Sequence, residues 1–105
     1  MIKVEFFGSS PVLGFRIKGH AGCGDFGTDI VCSAVSSAAL MAANTITDVM
    51  YIKPKTLVCK DGLMQLKLDE SSAQKCSVVL DGLVLHLSSL SKEYKKYIKV
   101  TISEV

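Results

Sequence analysis

Gly19-His20-Ala21-Gly22-Cys23-Gly24-Asp25-Phe26-Gly27-Thr28-Asp29-Ile30-Val31-Cys32 is the stretch on which the reading of the fold turns. Its first ten residues hold four glycines, a density no regular element tolerates, so it reads as a loop of wide backbone freedom. Upstream the pattern has period two. Ile2, Val4 and Phe6 share one strand face, and Leu13, Phe15 and Ile17 share the next, with Arg16 and Lys18 opposite. Gly8-Ser9-Ser10-Pro11 supplies the turn between the two strands. Downstream the period changes. Asp29 reads as a helix N-cap, with Ile30, Val31 and Cys32 as the first helical positions. The helix is expected to run to about Tyr51, before Pro54 prevents continuation. Ala34, Ala38 and Ala42 form a row of small side chains that allows another element to approach closely.

Two further strands, Thr56 to Lys60 and Leu63 to Asp69, flank Asp61-Gly62, a strong short-range hairpin signal. Met64, Leu66 and Leu68 point one way along the second of them. Cys76, Val79, Leu80, Leu83, Leu87, Leu90 and Tyr94 then fit one helical face, opened by a capping box at Ser71-x-x-Gln74. Asp81-Gly82 also permits a hairpin, but the apolar spacing stays helical past both ends of that dipeptide. A last strand is expected to turn Ile98, Val100 and Ile102 inward. The order is ββαββαβ: an α+β fold, one domain over residues 1–105, with two helices packed on a sheet.

A chain of 105 residues suits one domain and can bury a core without a metal or disulfide staple. Residues AVILMFWYC make up 49% and charged residues 21%, which excludes an intrinsically disordered chain. The net charge of +2 is too small to argue for nucleic acid or a membrane surface, so neither is an expected partner. Ile30 to Thr47 carries no charge, yet six of its residues are Ser, Thr or Asn and five are Ala, which favours a core helix over a membrane span. Charges interrupt the first apolar alternation, unlike a secretory leader, so the expected location is the cytoplasm and the expected thiol state is reduced. No Cys-x-x-Cys spacing occurs. A metal set of His20, Cys23 and Cys32 lacks a fourth ligand, and no cofactor or metal is expected.

The chemistry is concentrated between Gly19 and Ser37. His20 leaves the second strand, and Cys32 opens the helix after the glycine-rich loop. A thiol in a first helical turn gains from the unpaired N–H groups there, and an imidazole nearby adds to the stabilisation of its thiolate. Cysteine nucleophile plus histidine base is the minimal set for acyl transfer, with N–H groups at the helix end as candidate oxyanion donors. The plainer alternative makes Cys32 a small buried hydrophobe and His20 a surface residue. His86, Cys59 and Cys76 have no partner at a meaningful spacing and read as structural.

Gly19-His20-Ala21-Gly22, then Gly27, Asp29-Ile30-Val31-Cys32 and Ala34-Val35-Ser36 resemble the signature of the ribosomal-processing cysteine protease family, the Prp family. The resemblance implies a protease that removes a short N-terminal extension from a large-subunit ribosomal protein, acting as a homodimer. It implies His20 and Cys32 as the catalytic dyad, and a loop carrying Gly19, Gly22, Gly24 and Gly27 as cover over the site. Asp29 is site-supporting, as a cap or as the group that orients His20. Ser36, at i+4 from Cys32, supports the site or contacts substrate. Cys23 departs from the family pattern, either as tolerated variation or as a thiol able to pair with Cys32. The alternative function is a non-catalytic, ribosome-associated binding module, to which Lys92, Lys95, Lys96 and Lys99 lend a basic cluster.

Overall fold

The row Leu57–Leu66–Phe15–Phe6–Ile102 crosses all five strands of one sheet and shows how the core is built. Its three central members are fully buried, whereas Leu57 and Ile102 at the two edges are 50% and 51% exposed. Helices cover the middle strands fully and the edge strands only in part, so that Ile98 of β5 is buried while Ile102 is not. Each of the two phenylalanines, paired directly across strands, contributes roughly 1.5–3 kcal/mol of burial.

The protein is described here by a computed structural model that covers residues 1–19 and 26–104, with 26–29 described for their backbone alone. Strands β1 (Ile2–Phe7) and β2 (Gly14–Lys18) come first, followed by α1 (Phe26–Asn44), which runs on as a π-helical turn at Thr45–Val49. The hairpin β3 (Thr56–Lys60) and β4 (Leu63–Lys67) precedes α2 (Glu70–Lys75), α3 (Ser77–Glu93) and β5 (Ile98–Ser103). The strand order is β3-β4-β2-β1-β5. Only the β1–β5 pair is parallel, and the other three neighbours are antiparallel.

Helix α1 buries Val31, Val35, Ala39, Ala42, Ala43 and Ile46, spaced at three and four residues. Residues Ile30–Val49 are long and apolar enough to cross a membrane by composition, and this inward face is part of the core shared with the sheet. The row Ala34–Ala38–Ala42 lies on the flank of α1 toward α3, where it lines a groove with Val79 and Leu83. The Met50 N–H closes the π-helical turn by donating to the Thr45 carbonyl, and the run ends as Tyr51 turns left-handed at φ +55°.

Three expectations need correction. Helix α1 begins at Phe26, three residues before Asp29, so Asp29 is not its N-cap and Gly27 lies in the helix rather than in the loop. The second helix is two, broken at Cys76, and the order is ββαββααβ. Its cap is Asp69, whose carboxylate accepts from the Ser72 N–H at 2.7 Å, in place of the Ser71 box. The inward direction of Ile102 holds, since it shares the helix-side row with Phe6 and lines a groove with Val84 and Leu85 of α3, although at the sheet edge it stays 51% exposed. The Asp81-Gly82 hairpin is also excluded, since both residues lie within α3.

Candidate active site

Strand β2 ends at Lys18, and the backbone at Gly19 just after it has a specific requirement. Gly19 has φ +88°, its N–H donates to the Gly62 carbonyl at 3.0 Å, and an added Cβ would lie 2.7 Å from the Met1 carbonyl oxygen. A side chain at this position would meet the Met1 backbone just ahead of β1, in addition to the cost of the left-handed conformation. Gly19 therefore fixes the point from which the chain leaves the sheet.

Cys32 faces this point across a small cleft of about 90 Å³. The apolar wall is Ile2, Ile17 and Val35, the ends of β1 and β2 and one turn of α1. Gly19 and Ser36 also line it, and the β3–β4 hairpin closes it with Lys60, Gly62, Leu63 and Met64. The volume corresponds to about three waters, enough for a peptide group or a small side chain beside the thiol. Cys32 is half-buried and packs against the core, while Ser36 is exposed one turn further along the helix. The i, i+4 spacing thus brings Cys32 and Ser36 to one cleft.

Two features of the expected site change. Cys32 is the seventh residue of α1, not the third. The N–H groups without intrahelical acceptors lie ahead of residue 29, and the helix-end potential falls off within the first turn. Because Cβ bonds tilt toward the helix N-terminus, the thiol still leans toward that end. His20, Ala21, Gly22, Cys23, Gly24 and Asp25 lie outside the described residues, as does the side chain of Asp29. The expectations for His20, Gly22, Gly24 and Cys23, and for the role of Asp29, fall there.

The other described cysteines differ in kind. Cys76 is fully buried at the break between α2 and α3, where burial pushes its thiol pKa up despite the nearby Lys75. That protonated thiol is a structural group. Cys59 and His86, also read as structural, are instead exposed, on edge strand β3 and on α3. What sequence reasoning missed is the hairpin wall. Asp61-Gly62 was legible as a turn, but only the pairing of β4 with β2, which sets Leu63 beside Lys18, brings that turn to the cysteine.

A small α+β domain that sets a half-buried cysteine in a cleft at a sheet end has the makings of a thiol-dependent enzyme. The chain belongs to the family described as cysteine protease Prp, whose model matches residues 1–99, and it is accordingly a cysteine protease. The ribosomal processing cysteine protease Prp of Bacillus subtilis (strain 168) is 26% identical over 95 residues, covering 86% of this chain and 85% of the relative. Among solved structures, a Streptococcus mutans protein superposes with a TM-score of 0.85 at 23% identity, over 100% of this chain and 96% of its own. The essential ribosomal processing protease Prp from S. aureus, in complex with a substrate peptide, gives a TM-score of 0.82 at 20% identity, over 98% of this chain and 100% of that one.

Proposed function

We propose that this protein is a cytoplasmic cysteine endopeptidase that removes the N-terminal extension of a large-subunit ribosomal protein during ribosome maturation. The observation that carries the mechanism is that Gly19, the residue bonded to His20, lines the same cleft as Cys32. In the proposed reaction His20 takes the thiol proton and the Cys32 sulfur attacks the scissile carbonyl. The tetrahedral intermediate collapses as the imidazolium returns that proton to the leaving amine. Water, deprotonated by His20, then hydrolyses the thioester and frees the new carboxylate.

Asp29 and Ser36 act as supporting groups, with Ser36 at the cleft rim within reach of a bound peptide backbone. Gly19, Gly22 and Gly24 belong to the segment that covers the site, and a substrate-driven rearrangement of that segment makes the enzyme sluggish toward generic peptides. The sequence and fold similarity to Prp proteases supports the substrate class. The protein works as a homodimer, a reading supported by the exposed apolar side chains of Met41 and Val78 along the α1–α3 groove, and light scattering measures its mass directly.

The test is cleavage of the full-length ribosomal protein precursor by wild type, Cys32→Ala and His20→Ala, followed by intact mass. A discrete N-terminal product with wild type, absent with either variant, is the expected outcome. Cleavage retained by Cys32→Ala ends the mechanism.

A further inference from the structure

The helices cover one face of the sheet, and the other face carries a charge pattern that the net charge of +2 conceals. Outward from the sheet stand Lys3, Arg16, Lys18, Lys60, Lys67 and Lys99, as the buried Ile2, Val4, Phe15, Ile17, Leu66 and Ile98 alternate to the other side. The carboxylate among the strands' outward positions, Glu5, is already engaged by Arg16 at 2.6 Å.

Register puts four of these lysines in one line. Lys99 on β5 opposes Lys3 on β1, Lys3 opposes Lys18 on β2, and Lys18 opposes Leu63 on β4, which opposes Lys60 on β3. All four are exposed, and among the described residues no salt bridge joins any of them to a carboxylate. At a strand spacing of about 4.8 Å the row spans about 19 Å. Like charges directly opposite across strands destabilise a sheet, so the pairs Lys3–Lys18 and Lys3–Lys99 impose a cost that the fold itself does not offset.

We propose that this open face binds the phosphate backbone of single-stranded RNA. A line of cations across the strands complements a line of phosphates. On the same face, four residues and so about 13 Å further along β1 than Lys3, Phe7 has the Lys67 ammonium 4.9 Å and the Arg16 guanidinium 5.6 Å from its ring centre, an aromatic–cation cluster that a strand reaching across the face would meet. A membrane surface is the poorer match, since the exposed apolar residues of the edge strands, Leu57 and Ile102, share the helix-side row with Phe6 and Phe15. The lysine row runs along the sheet end that also carries Gly19 and Gly62, so bound RNA would lie next to the Cys32 cleft.

The test is fluorescence anisotropy with a labelled oligouridylate across a salt series. Four phosphate contacts predict a log–log salt slope of about −2.8, or about 50-fold tighter binding at 50 mM than at 200 mM salt. In the triple variant Lys3→Gln, Lys18→Gln, Lys99→Gln that factor falls to about 3-fold, whereas Lys92→Gln, Lys95→Gln, Lys96→Gln leaves it unchanged. Thermal melting verifies that the triple variant folds. Should it not, Lys99→Gln alone lowers the factor to about 20-fold. Absence of binding at 50 mM salt, or a slope indifferent to the row, overturns the proposal. So does tighter binding to phosphatidylserine-rich vesicles or to poly-glutamate, which would assign the face to a membrane or an acidic polypeptide.

Discussion

Replacing Gly19 and Gly82 by alanine, one at a time, adds the same methyl group at two places where the fold demands opposite results. Both substitutions restrict the unfolded chain and through it favour folding by about 0.4–1 kcal/mol. At Gly82, exposed within α3, the new Cβ meets nothing within 4 Å and alanine is the better helix former. Gly82→Ala is therefore expected to stabilise by about 0.5–1 kcal/mol. At Gly19 the left-handed backbone, φ +88°, costs alanine about 1–2 kcal/mol. The Cβ also falls 2.7 Å from the Met1 carbonyl oxygen, a backbone atom that moves only if the start of β1 moves. The net expectation is a loss of about 1–2 kcal/mol, so the two variants should differ by about 1.5–3 kcal/mol, or about 10 °C in Tm. Urea unfolding with a common m value reads the difference. Peptide cleavage by the same samples adds a second readout, because Gly19 lines the Cys32 cleft and Gly82 does not. Gly19→Ala should lose kcat/KM in excess of any loss of folded protein. Stability of Gly19→Ala within about 0.5 kcal/mol of wild type would refute the steric argument.

Glu5 is held below its ordinary pKa of 4.5 by the Ser103 hydroxyl first and the Arg16 guanidinium second. A depressed carboxylate stabilises the fold above its unfolded pKa, and that contribution is lost as pH falls below 4.5 through the native value. Glu5→Gln should thus cost up to about 1 kcal/mol at pH 7 and progressively less in acid, as denaturant midpoints at several pH values would show. Thiol labelling of the native protein at neutral pH should modify exposed Cys59 at least about tenfold faster than Cys76, which burial keeps protonated, and equal rates would contradict the core assignment of Cys76. Tyr51, 86% exposed and left-handed at φ +55°, has little packing to lose, so Tyr51→Gly should gain about 0.5 kcal/mol, and a loss would reveal an interaction of the ring.

Features governed by neighbours in sequence were legible in the sequence. Alternation in Ile2–Phe7 and the Asp61-Gly62 turn announced strands and a hairpin, because side-chain period and turn conformation are set within a few residues. Helical spacing from Cys76 to Tyr94 outweighed the turn-like Asp81-Gly82 for the same reason. Local signals failed where two of them competed. Asp29 looks like a cap, yet Phe26-Gly27-Thr28, poor helix formers, are helical ahead of it. Likewise Asp69 takes the capping role that Ser71-x-x-Gln74 advertises, and one apolar stripe conceals the break at Cys76.

Cys32 and Ser36 could be singled out from their spacing, and the family likeness pointed to the stretch that contains them. The wall opposite them could not, since Lys60, Gly62 and Leu63 reach the cleft only through the β2–β4 pairing of segments more than forty residues apart. The lysine row is of the same kind. Each lysine alternates with apolar neighbours and looks like an ordinary solvated residue. Strand order and register, fixed by burying Phe6, Phe15 and Leu66 in one row, align them. By itself the sequence determined the elements, because periodicity and turn chemistry act over a few bonds. Tertiary structure decided which elements meet, because shared burial of one apolar face selects among pairings that no local pattern distinguishes.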